Sequence, residues 1–152
     1  MEIIELMSYA DKNKYLTQLI DCKWWAGKIL AKFIIEGELE KMCKANPKVF
    51  VLVDGDEVVS FCTYVHQDEI DAPDMFPWIG FVYTFEKYRS NHYFGKLLNH
   101  IISLAKQEKY QKIYVSTNEN GLYEKYGFKY YKNMLDITGN DSRIYYLEID
   151  LL

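Results

Sequence analysis

The sequence predicts an α/β (α+β) fold on a mixed sheet, and three observations carry that expectation. First, the elements alternate in order: strand, helices, an antiparallel hairpin, strand–helix–strand, a short helix and two closing strands. Second, Asp54-Gly55-Asp56 stands between two apolar runs, the strongest short-range hairpin signal a chain offers. Third, repeats, low-complexity tracts and linkers are missing from a chain of 152 residues, which suits a single domain over 1–152 with a proper core.

Each element follows from its local pattern. Residues 2–7 read as a strand, and Asp11 is placed to cap a helix running to about Asp21. From Lys23, Trp25, Ile29, Leu30, Phe33 and Ile34 recur at three- and four-residue steps, so a second helix is predicted, broken at Gly37 and continuing toward Pro47. Adjacent Trp24 and Trp25 cannot both face the core from one helix, so one is expected to line a groove or stay on the surface. Runs 48–53 and 57–65 are the two arms of the hairpin. Residues 66–77 are polar and acidic, contain Pro73 and Pro77, and read as a loop. Residues 78–85 form a strand leading to a turn at 86–93. Phe94, Leu97, Leu98, Ile101, Leu104 and Ala105 then mark one face of a helix over 94–108. Residues 112–116 read as a strand, 119–126 as a short helix and 128–132 as a strand. Gly139-Asn140-Asp141-Ser142 is a turn signal, and 143–151 closes the chain as a strand.

Composition excludes several classes. The net charge is -4, so the chain as a whole has no basic footprint for nucleic acid. Its apolar runs, such as Val49 to Val53, are too short to span a bilayer, and the start lacks the pattern of a signal peptide. Cys22, Cys43 and Cys62 form no CxxC pair and share no zinc-type spacing with His66, His92 or His100. No metal site is therefore expected, and free thiols point to a cytoplasmic protein. The 14 tyrosines are assigned to strand packing and a wide apolar groove.

Two motifs carry more. Tyr88-Arg89-Ser90-Asn91-His92-Tyr93-Phe94-Gly95-Lys96-Leu97-Leu98 sits where a strand turns into a helix, a place where bare backbone N–H groups attract phosphate. Leu122-Tyr123-Glu124-Lys125-Tyr126-Gly127-Phe128 sits where a short helix stops at glycine and a strand begins. In these motifs and in its element order the chain resembles the GNAT superfamily, the Gcn5-related acetyl-coenzyme A-dependent N-acetyltransferases. The tail motif matches the family's Leu-Tyr-Glu-Lys-x-Gly-Phe almost letter for letter. The phosphate loop is read as one residue longer than the family's Arg/Gln-x-x-Gly-x-Gly/Ala, starting at Arg89.

The resemblance implies a mostly antiparallel sheet of about seven strands, flanked by about four helices and splayed between the fourth and fifth strands. It implies acetyl-CoA as cosubstrate. Val82, Tyr83 and Thr84 would pair with the pantetheine arm, and Arg89, Ser90, Asn91, His92, Tyr93, Phe94, Gly95 and Lys96 would surround the pyrophosphate. Asn118 is the nearest match to the family's asparagine after the fifth strand, displaced from its usual spacing. The implied reaction is direct attack of a primary amine, from a small molecule or peptide, in a ternary complex. An ammonium with pKa about 10.4 must lose its proton, costing roughly 4–5 kcal/mol at neutral pH, and the departing thiolate, with pKa about 8.5, needs a hydrogen bond or proton.

Tyr123 is the implied catalytic donor, and its place in the first turn of a helix is expected to acidify it. The fourth strand carries no acid, unlike relatives with a glutamate there, so the base is sought among His66, Glu69, Asp71 and Asp74. That missing acid leaves a second reading open, a non-catalytic acyl-CoA-binding or regulatory module. The sequence leaves the choice between monomer and homodimer open as well.

Overall fold

The computed structural model describes residues 1–151. Its strands are β1 (Glu2–Glu5), β2 (Lys48–Asp54), β3 (Glu57–Val65), β4 (Trp78–Thr84), β5 (Lys112–Thr117), β6 (Lys129–Leu135) and β7 (Asp141–Glu148). The α-helices are α1 (Asn13–Asp21), α2 (Trp25–Ile35), α3 (Leu39–Cys43) and α4 (Tyr93–Gln107). The seven strands form one sheet in the order β1-β2-β3-β4-β5-β7-β6. Its pairings are antiparallel except for β4 with β5.

The two-residue period of β2 shows how the sheet divides the core. Val49, Val51 and Val53 point to the face covered by α1, α2 and α3, where they meet Leu16, Leu19, Leu30 and Ile34. Phe50 and Leu52 point to the opposite face, against Leu97, Leu98 and Ile101 of α4. Burying each such side chain contributes about 1.5–3 kcal/mol, so the two apolar layers clamp the sheet between the helices. Among the described residues no helix is long and apolar enough to cross a membrane.

Several expected boundaries move. Lys12, already helical in φ and ψ, precedes α1, and no side chain caps that helix, so Asp11 has no capping role. The helix expected over 119–126 shrinks to a 3-10 turn at Glu124–Tyr126. Gly121 and Gly127, both at positive φ, bracket that segment and confine any helical turn to the five residues between them. The strand expected at 128–132 extends to Leu135, and the tight turn falls just before Asp141.

The feature that positions the site is a bulge in β4. Phe61 pairs with Tyr83 but Thr63 pairs with Gly80, so β4 holds one residue more than β3 across that interval. Phe81 takes the strain, at φ 47, in a region that bulky side chains seldom occupy. Pairing of β4 with β5 covers Trp78↔Tyr114 and Ile79↔Val115. Past Ile79 the two strands part, and the edge of β4 that faces β5 is open over 80–84.

Candidate active site

Two adjoining cavities open where β4 and β5 diverge. The first, about 560 Å³, runs along Val82, Tyr83 and Thr84 to the loop before α4. Ser90 and His92 in that loop are both left-handed, at φ 68 and 56. They swing the chain so that α4 starts without a side-chain cap. The first N–H groups of any helix lack an acceptor inside it. Here the Gly95 N–H turns back to the His92 carbonyl at 3.0 Å, while Tyr93 and Phe94, the first two residues of the helix, line the groove end. Such a helix start attracts an anion.

Side chains brace this loop. Arg89 Nε donates to the Thr84 carbonyl at 2.9 Å. Its guanidinium lies over Tyr83, 5.4 Å from the ring centre. Tyr83 in turn stacks on Trp24, with centroids 5.5 Å apart and planes 7° from parallel. Asn91 Nδ2 donates to the carbonyls of Tyr88 and Arg89, which pins the turn from outside the groove.

Of the twelve residues the sequence nominated for the nucleotide, Val82, Tyr83, Thr84, Arg89, Ser90, His92, Tyr93 and Phe94 line the groove. Asn91, Gly95, Lys96 and Asn118 do not. A Cβ on Gly95 would stand 3.4 Å from Tyr126 Cε1, so this glycine sits close under that ring. Lys96 is exposed on the helix beyond the opening. Asn118 is exposed, and its carbonyl accepts from Arg143, which also holds Asn120. Lys125 and Tyr126, on the far wall, were legible only as part of the tail motif.

The second cavity, about 430 Å³, shares Trp24, Val82 and Glu119 with the first. Tyr123 lines it and is 5% exposed. Phe94 and Phe128 hold the ring edge-on, with centroids at 6.0 and 5.5 Å. Burial pushes the phenol up from its ordinary value, and the charges of Glu119 and Asp68 push the same way. This overturns the acidification expected from a helix start, since the helix is not there and burial dominates.

A carboxylate the sequence reading passed over also lines this cavity. Asp68 lies against Gly80: a Cβ at that position would collide with its Oδ1. Burial raises Asp68 to about 7, with the charge of Glu69 adding and a backbone hydrogen bond opposing. The same point over Gly80 lies 3.1 Å from Thr63 Oγ1, which is buried and has no hydrogen-bond partner among the described residues. The one sequence signal for this arrangement was a glycine in mid-strand, which marks a close approach.

The four nominated bases separate. Glu69 lines the cavity, with Oε1 accepting from Ser116 Oγ at 2.7 Å and its carbonyl accepting from the Ile137 N–H at 2.8 Å. His66 stacks on Phe76 at 4.3 Å, and neither it nor the exposed Asp71 and Asp74 lines either cavity. Cys43 faces the second cavity with its thiol raised by burial to about 12, which makes it inert near neutrality. All three cysteines are buried and free.

The chain is similar in fold to several solved acetyltransferases. An aminoglycoside 6'-N-acetyltransferase complexed with coenzyme A superposes with a TM-score of 0.72 at 18% identity, covering 99% of this chain and 98% of that one. An acetyltransferase from Streptococcus agalactiae 2603 gives 0.68 at 23% identity, covering 97% of each chain. The aminoglycoside 6'-N-acetyltransferase from Enterococcus faecium gives 0.70 at 16% identity, covering 99% of this chain and 98% of that one. No curated protein matches the sequence. The family model described as the acetyltransferase (GNAT) family matches residues 15–128, most of the chain, with both motifs inside or ending at that span. The splayed sheet, the bare helix start and this match place the chain in the GNAT acetyltransferase family.

Proposed function

We propose that this protein is an N-acetyltransferase that moves the acetyl group of acetyl-CoA to a primary amine in a ternary complex. The observation that carries the reading is the junction of the two cavities. An open strand edge leads from an anion-attracting helix start to a chamber lined by a protonated phenol and a carboxyl poised near neutrality.

The residues present suit the cosubstrate. The amides of Tyr93 and Phe94, with Lys125 on the facing wall, would hold the pyrophosphate. The open edge at Val82 to Thr84 offers peptide groups to the amide-bearing arm. When bound, acetyl-CoA supplies the activated thioester. The remaining chemistry belongs to the protein. Asp68, ionised above about 7, accepts the proton of the incoming ammonium, an uphill transfer from a group of pKa about 10.4 that a buried anion eases. Tyr123 keeps its proton and donates a hydrogen bond toward the departing sulfur; its raised pKa makes it a donor rather than a proton source, so the sulfur takes the second proton, which the amine nitrogen sheds as the C–S bond breaks.

Asp68 also bears on the binding-module alternative. The acid missing from the fourth strand had left that reading open, and here a carboxyl from the preceding loop reaches the floor of the same strand over Gly80. The test is amine-dependent release of CoA thiol, followed across pH. Wild-type kcat/KM should rise through about pH 7 as Asp68 loses its proton. Asp68→Asn should lower kcat about 100-fold and abolish that limb, and Tyr123→Phe should lower kcat about tenfold with the limb intact. Tight CoA binding without turnover across a broad amine panel would favour the binding module instead.

A further inference from the structure

Resting on that reading, we infer that the acceptor is an amphipathic amine, one ammonium on an apolar aryl or alkyl body, rather than a polyhydroxylated aminosugar. The second cavity is divided by chemistry. Its carboxyl groups, Asp68, Glu69, Glu119 and Asp136, stand on the β4, β5 and β6–β7 side, where the Ile137 N–H ties the hairpin turn to Glu69. The α2–α3 wall opposite them carries Trp25, Ile29, Leu39 and Met42. No lysine or arginine lines the cavity among the described residues.

Such a division selects for shape and charge together. The ammonium goes to the carboxyl side, beside Asp68, which is also where its proton must be taken. The rest of the molecule then lies along a wall with no hydroxyl, amide or carboxylate side chain to meet it. An aminosugar would press several hydroxyl groups against that wall, and each one deprived of water without a partner costs roughly tenfold in affinity. An aryl or alkyl body removes apolar surface from water instead. A diamine laid along that wall would carry its second ammonium away from all four carboxyl groups.

Trp25 is the anchor. It is 68% exposed at the first turn of α2 and faces the cavity, so its indole is free to cover a ring or chain. Gln67, Ser116, Thr117 and Thr138 line the cavity too, and none of them belongs to the α2–α3 wall.

The experiment compares kcat/KM for 2-phenylethylamine and hexylamine with glucosamine, kanamycin and putrescine, by thiol release at saturating acetyl-CoA. The two amphipathic amines should exceed the others by tenfold or more. Trp25→Ala should raise KM for 2-phenylethylamine about tenfold and leave KM for acetyl-CoA unchanged, because Trp25 does not line the first groove. An equal or better rate with glucosamine, kanamycin or putrescine overturns the inference, as does an unaltered amine KM in Trp25→Ala. If no amine is acetylated, calorimetry of 2-phenylethylamine against the CoA-loaded protein still decides. Binding that Trp25→Ala weakens sustains the class of ligand while the transferase reading fails, and no binding overturns the class itself.

Discussion

At the residue scale the site turns on an absent side chain. Gly80 has no Cβ, so Asp68 and Thr63 can both crowd the floor of β4. Its φ lies outside the left-handed region that only glycine favours, so alanine suits the backbone and conflicts only with its neighbours. Gly80→Ala isolates that conflict. The added methyl collides with the Asp68 carboxyl and comes within 3.1 Å of Thr63 Oγ1, so Asp68 must swing toward solvent, where its pKa falls toward the ordinary carboxylate range. A loss of about 10–100-fold in kcat is expected, with the rise in kcat/KM moving well below pH 7 and the circular dichroism spectrum unchanged. Wild-type activity in Gly80→Ala would show that the contact between Asp68 and β4 is dispensable.

At the scale of elements, the start of α2 matters as much as the β4 bulge, because it carries Trp24 to the first groove and Trp25 to the second. Gly27 sets that position. A Cβ there would lie 2.5 Å from Cys22 Sγ and 3.2 Å from Phe61 Cζ, so glycine lets the α1–α2 corner close on the sheet. Cys22 Sγ also donates to the Trp24 carbonyl, which links the sulfur to the tryptophan pair. Two effects oppose in Gly27→Ala. Alanine gains about 1 kcal/mol as a helix residue, and overpacking costs about 1–3 kcal/mol. A sulfur on a single rotor within a buried corner has little room to yield, so the cost wins by about 1 kcal/mol. The thermal midpoint should fall about 2–4 °C. KM for the amine should rise more than KM for acetyl-CoA, since Trp25 lines the second cavity and not the first. The double variant Gly27→Ala, Cys22→Ala should recover most of the loss; without recovery, the clash is not the cause.

At the scale of the whole molecule, the legible and illegible parts divide by the range of the interactions behind them. The β2–β3 hairpin follows from Asp54-Gly55, and α4 from a stripe of six apolar residues; both are written within a few neighbours. The helix start was legible for the same reason. Asp68 was not, because its place depends on a glycine twelve residues away and on a bulge that no local period announces. Tyr123 was found by its motif, but its environment was misjudged, since Phe94 packs on its ring from α4, a distant element, as Phe128 does from the motif itself.

A group placed this way also works against the fold. Asp68 titrates at about 7 in the native state against 3.8 ordinarily, so the unfolded chain gives up this proton more readily. The sign follows: below about pH 4 the carboxyl is protonated in both states and costs nothing, and as pH rises toward 7 ionisation favours unfolding. The full penalty is present above about pH 7. At about 1.36 kcal/mol per pK unit the ceiling is about 4 kcal/mol, and water reaching the open cavity lowers it to about 2–4 kcal/mol. Asp68→Asn keeps the shape and removes the charge. Its thermal midpoint should match wild type at pH 4 and exceed it by about 5–10 °C at pH 8, with the gap opening between those values. The variant disabled as a catalyst would then be the more stable protein, as expected where a functional group is held against its own preference. A midpoint difference that stays flat from pH 4 to 8 would mean that Asp68 ionises freely in the fold, and its assignment as the base near neutrality would fall with it.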